Sequence, residues 1–259
     1  MNAATKRIVH CPRPKISGYF AWKSGLDRLI AALLLVFVFP IIAVLVVLVR
    51  LTSKGPAIYR QVRVGKDGKV FTMYKIRSMR IDAESATGAV WASRKDPRVT
   101  LLGKIIRKLH LDELPQLFNV IRDDMSLVGP RPERPEFVDK LDQKIDGYRH
   151  RLLVKPGITG YAQLNLPSDI DLNDVRKKVA LDFEYIENAS LGFDFLLVFG
   201  TALKVVKLTG RVPLTLLGIY RPAEKSKWVE PLQLAKTTPC LKEQRLDALF
   251  AMETATIHH

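Results

Sequence analysis

The sequence predicts a mostly helical α+β chain held on one face of a membrane as a monotopic protein, with a proline-broken re-entrant helix, a small β-hairpin and interfacial amphipathic helices. Three observations carry that reading. Residues 29–49 read LIAALLLVFVFPIIAVLVVLV, with no charged or strongly polar side chain; as one helix they rise about 31 Å, enough to cross a bilayer core. Basic residues crowd both sides of that run: Lys6, Arg7, Arg13, Lys15, Lys23 and Arg28 before it against Asp27 alone, and nine Lys or Arg within residues 50–80 against Asp67 alone. Two later segments, 101–109 and 191–208, are apolar at helical spacing and carry lysine or arginine beside or beyond the apolar face, a pattern suited to the headgroup layer.

The 259 residues hold one good-sized core or two small ones. They carry 41 Lys+Arg and 26 Asp+Glu, a net charge of +15. The clustering of that excess suits polyanions: nucleic acid, anionic headgroups or phosphate-bearing substrates. Cys11 and Cys240 lie near opposite ends, which implies no disulfide framework and fits a reducing cytosol.

Taken in order, residues 1–25 form a basic N-terminal segment and 26–52 the membrane helix. The apolar run starts too late, and lacks the small-residue cleavage pattern, for a removable signal peptide. Pro40 lacks an N–H and its ring collides with the carbonyl of Val36, so the helix must kink or break there. Basic flanks favour the cytoplasmic face. A straight crossing leaves one basic cluster outside, whereas a hairpin dipping into one leaflet keeps both inside, which favours the hairpin.

Residues 53–210 form the cytosolic domain. Two β-rich runs around Lys66-Asp67-Gly68-Lys69 predict a hairpin. Residues 82–98 read as a loop near the substrate or membrane. Leu101, Leu102, Ile105, Ile106 and Leu109 form the apolar stripe of a helix that rests on a soluble core or partly on the headgroups. Asp112 is placed to cap a helix through Phe118 and Ile121, with Pro115 in its first turn. Residues 133–150 and 174–187 read as helices and PGITGYAQLN, 156–165, as a glycine-rich loop. Beyond Gly210 the prolines at 213, 222, 231 and 239 interrupt the chain. A short amphipathic piece at 213–220 and a weakly ordered or partner-dependent tail are expected in the extension 211–259.

Candidate chemistry concentrates in RKLHLDELPQLFNVIRDDMSLVGPRPE, residues 107–133. An isolated Asp112–Glu113 pair would read as a helix cap with a favourable first-turn acid. Here it is accompanied by a dense set of phosphate-binding residue types. A carboxylate is ionised at neutral pH and attacks phosphorus without a base removing a proton. Charge neutralisation on a diphosphate calls for a hard cation, Mg²⁺ or alternatively Mn²⁺, held by one or two carboxylates. Arg131 sits between Pro130 and Pro132, so its guanidinium starts from a restrained backbone and its fork suits phosphate oxygens. Lys75 and Arg77 share one face if their segment is a strand.

These motifs resemble the bacterial sugar transferases that move a hexose-1-phosphate onto a polyprenyl phosphate, the monotopic phosphoglycosyl transferases. The resemblance covers residues 23–209. It rests on the Asp112–Glu113 dyad, GPRPE at 129–133, YKIRSM at 74–79 with Ile76 where the family has Phe, Arg60-Gln61 with Arg63 and Gly65, and Asp124-Met125-Ser126. It implies a re-entrant helix broken at Pro40, Asp112 as nucleophile, Glu113 as metal ligand and Arg131 as phosphate clamp. Lys75, Arg77, Ser78, Asp124, Asp182 and Gln163 complete the implied phosphate- or substrate-binding set, with Asp124 supporting the metal or Arg131. The implied partners are a nucleotide-diphosphate sugar, with uridine expected, and undecaprenyl phosphate at the cytoplasmic face of a bacterial inner membrane. The implied product initiates exopolysaccharide, capsule or O-antigen synthesis.

The chain departs from the family pattern in three places. Asp123 stands where glycine is common and His110 where serine is common. After Gln163 the family continues Asn-Gly-Arg, whereas this chain has Asn165-Leu166-Pro167, so an arginine near the donor is missing. The competing reading is a non-catalytic membrane-surface scaffold that binds anionic lipid. A nucleic-acid binder is prompted only by charge and no motif supports it. Oligomeric state is left open, and a homo-oligomer is compatible with all of this.

Overall fold

The computed structural model describes residues 11–83, 96–167, 171–205, 215 and 218–234. Helix α1, Phe20–Thr52, is 33 residues long and contains Pro40. Where the proline predicts two half-helices, the helical assignment runs on through it. A proline removes one N–H and bends a helix without having to end it, and apolar packing holds both sides. Leu35 and Val38 pack before the proline, and Ile42, Leu45 and Val49 after it.

The buried stripe of α1 is Lys23, Asp27, Ala31, Ile42, Leu45 and Val49. Ala31 meets Met73, Leu117, Val120 and Met125; Ile42, Leu45 and Val49 meet Ala57, Ile76 and Ile106. The helix therefore lies along the folded body on both sides of Pro40. Its other faces leave Leu29, Leu33, Val36, Phe37, Val44, Val47 and Leu51 exposed.

The predicted hairpin forms from β1, Ile58–Val64, and β2, Val70–Ile76, antiparallel with Val64 opposite Val70. Asp67 and Gly68 close its turn at φ 55° and 79°, the left-handed geometry that Asp and Gly tolerate. Most of the loop at 82–98 lies outside the described residues. Helix α2, Leu101–Lys108, is capped by Thr100, whose side chain accepts from Gly103 N. It divides its apolar residues: Ile106 is buried, while Leu101 and Ile105 face outward.

A 3-10 turn, Leu111–Glu113, precedes α3, Gln116–Ile121. Asp112 lies in that turn and Pro115 takes the N-cap position without a side-chain cap, so Asp112 does not cap α3 as expected. Within 133–150 only α4, Pro135–Lys144, is α-helical, and a 3-10 segment follows at Tyr148–Leu153.

The glycine-rich stretch after Pro156 is more ordered than its composition predicts. β3, Ser126–Val128, and β4, Gly157–Thr159, pair in parallel. Short helix α5, Tyr161–Asn165, follows. Three glycines permit this: a Cβ at Gly157 would lie 2.0 Å from Gly129 N, and one at Gly160 2.2 Å from Gly129 O.

Helix α6, Leu172–Asn188, begins at the Asp171 cap and supplies the centre of the core through Val179, Ala180, Leu181, Phe183 and Ile186. Helix α7, Leu191–Val205, buries Leu197 and Asp194 and exposes Phe195, Val198 and Phe199. Half of the 213–220 piece falls outside the described residues. Residues 218–234 pack closely rather than loosely. Helix α8, Val229–Leu234, follows Trp228, whose ring meets Phe183 of α6 edge-on at 5.2 Å. The rest of the tail lies outside the described residues.

Candidate active site

The acid pair is presented by the tight turn between α2 and α3. His110 enters it at φ 54° and ψ 21°, a conformation uncommon outside glycine and most tolerated by Asn, Asp and His. Each acid then points its own way. Glu113 Oε1 accepts from Arg131 Nη2 at 2.8 Å and from Lys75 Nζ at 3.3 Å. Both ion pairs fall on the same oxygen, which leaves Oε2 outside them.

Burial alone would raise the Glu113 carboxyl, but the charges of Arg131 and Lys75 outweigh it and hold it well below the usual range. Lys75 is lowered, by burial first, against the pull of Glu113. The charge of Glu113 raises Arg131. Asp112 moves the other way: burial, then the neighbouring charge of Glu113, pushes its carboxyl up. The turn thus holds one carboxylate locked in ion pairs beside another that is poorly stabilised and more basic.

Arg131 is aimed by a braced loop. Arg151 Nη2 donates to the Arg131 carbonyl at 3.0 Å while its Nε donates to Asp182 Oδ2 at 2.9 Å. Arg63 Nη1 donates to the Pro132 carbonyl at 2.9 Å, and Lys178 pairs with Glu133 at 3.1 Å. Burial opposes ionisation of Glu133, but Lys178, Arg151 and Arg63 bring it down to about 2. Asp182, predicted at the substrate, is buried and pairs with Arg151, whose Nη2 donates to the Arg131 carbonyl.

Four other predicted residues are likewise placed away from the pair. β2 ends at Ile76, so Arg77 does not share the face of Lys75. It is buried and donates through Nη2 to Ser53 O at 2.9 Å and Ser53 Oγ at 2.7 Å. A cation there complements the C-terminal end of α1. The Ser78 carbonyl accepts from Thr100 N at 3.1 Å, tying β2 to α2. Asp124 Oδ2 accepts from Asn119 Nδ2 at 3.3 Å. Asn119 in turn donates to Thr72 O and accepts from Tyr74 N, so Asp124 supports the α3–β2 junction. Gln163 opens toward α7: Nε2 donates to Ile158 O at 3.1 Å, and the main-chain carbonyl accepts from Lys204 Nζ at 2.8 Å.

Sequence reasoning missed Arg151, Lys178 and Asn119, which belong to no local pattern. It also missed the buried knot around Asp194, which accepts from Lys23, from Tyr19 at 2.9 Å and from Tyr185 at 2.7 Å. Lys23 also pairs with Asp27 at 2.9 Å. The i,i+4 spacing of Lys23 and Asp27 was the available signal. Asp123, at φ 70°, explains the expected glycine. Here its carboxylate pairs with Lys155 at 2.6 Å and accepts from Ser24 at 2.5 Å.

Among the described residues no cluster of three or more His, Cys, Asp or Glu could enclose a metal ion. The donor set fits a magnesium-like ion that takes one or two carboxylates and completes its shell with water and phosphate oxygens, with Asp112 and the outer oxygen of Glu113 as holders. A cavity of about 240 Å³ lined by Tyr161, Glu184, Asn188, Phe193, Gly218 and Arg221 includes none of the acid pair or its cations.

Similarity to known proteins covers most of the chain. Residues 18–208 match the family model described as bacterial sugar transferase. The chain is 47% identical over 179 residues to the UDP-N-acetylgalactosamine-undecaprenyl-phosphate N-acetylgalactosaminephosphotransferase of Aeromonas hydrophila, covering 69% of this chain and 42% of that protein. It is 42% identical over 184 residues to the UDP-glucose:undecaprenyl-phosphate glucose-1-phosphate transferase of Escherichia coli, covering 70% and 39%. With the enzyme of the same description from Caulobacter vibrioides the identity is 39% over 181 residues, covering 69% and 67%. The chain thus spans about two fifths of the length of the first two. The match to the family model over most of this chain establishes that the chain belongs to the bacterial sugar transferase family.

Proposed function

We propose that this chain transfers a hexose-1-phosphate from a UDP-sugar to undecaprenyl phosphate through a phosphosugar ester on Asp112. The observation that carries the proposal is the unequal acid pair. Glu113 is held ionised by Lys75 and Arg131, while burial and then the charge of Glu113 raise Asp112, which among the described residues forms no ion pair beside two phosphate-binding cations. The relatives support the substrate classes, since each is named for moving a sugar phosphate onto undecaprenyl phosphate.

An oxygen of Asp112 attacks the sugar-bearing phosphorus. The bond from that phosphorus to the bridging oxygen breaks, and nucleoside monophosphate leaves with the electron pair. An oxygen of the lipid phosphate then attacks the same phosphorus and frees the Asp112 carboxylate, giving the lipid diphosphate sugar. Arg131 and Lys75 hold the phosphate oxygens, and Glu113 holds both cations in place and prevents them from pairing with Asp112. A divalent cation, when bound, would neutralise the diphosphate and the leaving group.

Placement at the cytoplasmic face of the inner membrane, with α1 entering and leaving one leaflet, belongs to the same proposal. It is supported by the packing of α1 against the folded body before and after Pro40, because a helix crossing the bilayer would carry one end away from that body. The test is a panel of UDP-sugars with undecaprenyl phosphate and Mg²⁺. UMP and a lipid-linked sugar phosphate are expected with at least one donor. Wild-type turnover in Asp112→Asn would remove the nucleophile, and UMP release unchanged without divalent cation would remove the metal role of Glu113.

A further inference from the structure

We infer that the cavity between α5, α6, α7 and the C-terminal extension is a second binding site, and that it takes a neutral, polyhydroxylated sugar ring. The inference goes beyond the transferase reading and does not rest on it. The cavity, of about 240 Å³, is lined by Tyr161, Glu184, Asn188, Phe193, Gly218 and Arg221. That is space for roughly eight waters, and less than the roughly 300 Å³ at which drug-sized pockets begin, so it suits one small ring. Gly218 and Arg221 lie beyond the region that the family model matches. The side-chain amide of Asn165 holds them in place: Nδ2 donates to Ile219 O at 3.2 Å and Oδ1 accepts from Arg221 N at 2.9 Å. Asp182, two residues before Glu184 on α6, turns to Arg151. Side chains two apart on a helix point about 200° apart, so the cavity opens on the face of α6 away from the Arg131 loop.

Two deeply buried polar side chains border this space. Tyr161 is 6% exposed and Glu184 5%. The Tyr161 ring meets Phe193 at 5.1 Å, edge to face, yet among the described residues its hydroxyl has no hydrogen-bond partner. A buried tyrosine ordinarily places its hydroxyl on one; here the space it borders is the cavity. Glu184 Oε2 pairs with Arg221 Nε at 3.3 Å, and Oε1 has no partner among the described residues. Asn188 Nδ2 donates to Glu184 O at 2.8 Å, which leaves its Oδ1 to accept. The two charges of the lining cancel. A cationic guest meets Arg221 and an anionic guest meets Glu184, whereas neutral hydroxyls donate to the carboxylate and accept from the guanidinium or the phenol. Tyr161 and Phe193 supply the apolar wall against which the C–H face of such a ring rests.

The test is a saturation-transfer NMR titration of the full chain in phosphatidylcholine nanodiscs, free of sugar-headed detergent. The probes are glucose, galactose and N-acetylgalactosamine, with glucosamine and glucuronate as charged counterparts. At least one neutral sugar is expected to saturate the wild type with Kd on the order of millimolar, and to bind more tightly than either charged probe. Tyr161→Phe and Glu184→Gln should each weaken it by about three- to tenfold. Tyr161→Phe removes one hydroxyl and no packing, so weakened binding at unchanged Tm separates recognition from folding. Saturating UDP should leave the signal intact. Equal binding of the sugar's methyl glycoside assigns a sugar unit within a glycoconjugate, and binding of the reducing sugar alone assigns a free monosaccharide; either supports the inference. A cavity that holds only water gives no saturable signal with any neutral sugar and overturns it. Equal binding by wild type and both variants also overturns it, as does a binding loss that tracks a lowered Tm in both. Loss of the signal under UDP would place the sugar at the acid pair and overturn it too. Binding needs no turnover: if the wild type binds a sugar but transfers none from any donor, the transferase reading fails and this inference stands.

Discussion

Asp112 and Glu113 are adjacent in the chain, yet the structure gives them opposite electrostatics. Glu113 is locked below the usual carboxylate range by two cations, while Asp112 is raised by burial and by Glu113 itself. A group whose folded-state pKa lies above its unfolded value is destabilised in its charged form, so ionised Asp112 costs stability at neutral pH. Asp112→Asn is therefore expected to be inactive but to melt at or above the wild-type temperature, which calorimetry checks; function and stability pull apart at this position. Glu133 has the opposite sign. Its pKa is depressed to about 2, so its contribution to stability is present above the ordinary carboxylate value of about 4.5 and is lost as pH falls from there toward 2. Acid unfolding of Glu133→Gln should be shallower than wild type across that window. Asp182 acts on the site through Arg151. Asp182→Asn removes the carboxylate paired with the buried Arg151 guanidinium, at a cost of up to about 3–5 kcal/mol, and should lower both Tm and kcat. A lowered kcat with an unchanged Tm would mean that Asp182 meets substrate directly.

At the scale of elements, what the sequence shows and what it hides divide by range. The apolar run, the hairpin turn at Lys66–Lys69, the helix over 174–187 and the acid-plus-GPRPE motif are local patterns and were readable, while the Asp171 cap that starts that helix three residues earlier was not. The β3–β4 pair was not, because each strand has three residues and the pairing joins segments some thirty residues apart. Its only trace is the glycines, which look like loop punctuation until the close backbone approach is seen. Arg77 shows the same limit: strand alternation placed it beside Lys75, but β2 ends one residue earlier and the side chain turns to the end of α1. The residues that brace the Arg131 loop were hidden for a third reason, since Arg151 lies in the 3-10 segment Tyr148–Leu153 while Lys178 and Asp182 lie on α6, and the three share no motif with the loop. The glycine contact is directly testable. Gly157→Ala places a methyl group 2.0 Å from Gly129 N. It should cost about 1–3 kcal/mol and reduce activity more than binding of the lipid surface, because it displaces the loop that carries Arg131. Activity retained at wild-type level would show that the loop tolerates movement.

The whole molecule joins a long apolar helix to the folded body that bears the acid pair. Exposed apolar side chains on α1, α2 and α7 leave surface that water solvates poorly and lipid covers. The packing of α1 on both sides of Pro40 gives the topology a direct test. Lys15 and Lys54 flank the helix and are both exposed. Single cysteines introduced at either position should react with a membrane-impermeant thiol reagent only when the cytoplasmic face is opened. Labelling of one site from outside intact cells would mean that the helix crosses the bilayer.

The central claim is covalent and is tested most directly by intact-protein and peptide mass spectrometry after rapid quenching with a turnover-competent UDP-sugar in the absence of lipid phosphate. The expected result is a hexose-phosphate adduct on Asp112 that disappears when undecaprenyl phosphate is added and never forms in Asp112→Asn. Lipid product accumulating while the Asp112 peptide stays unmodified at every time point would contradict it.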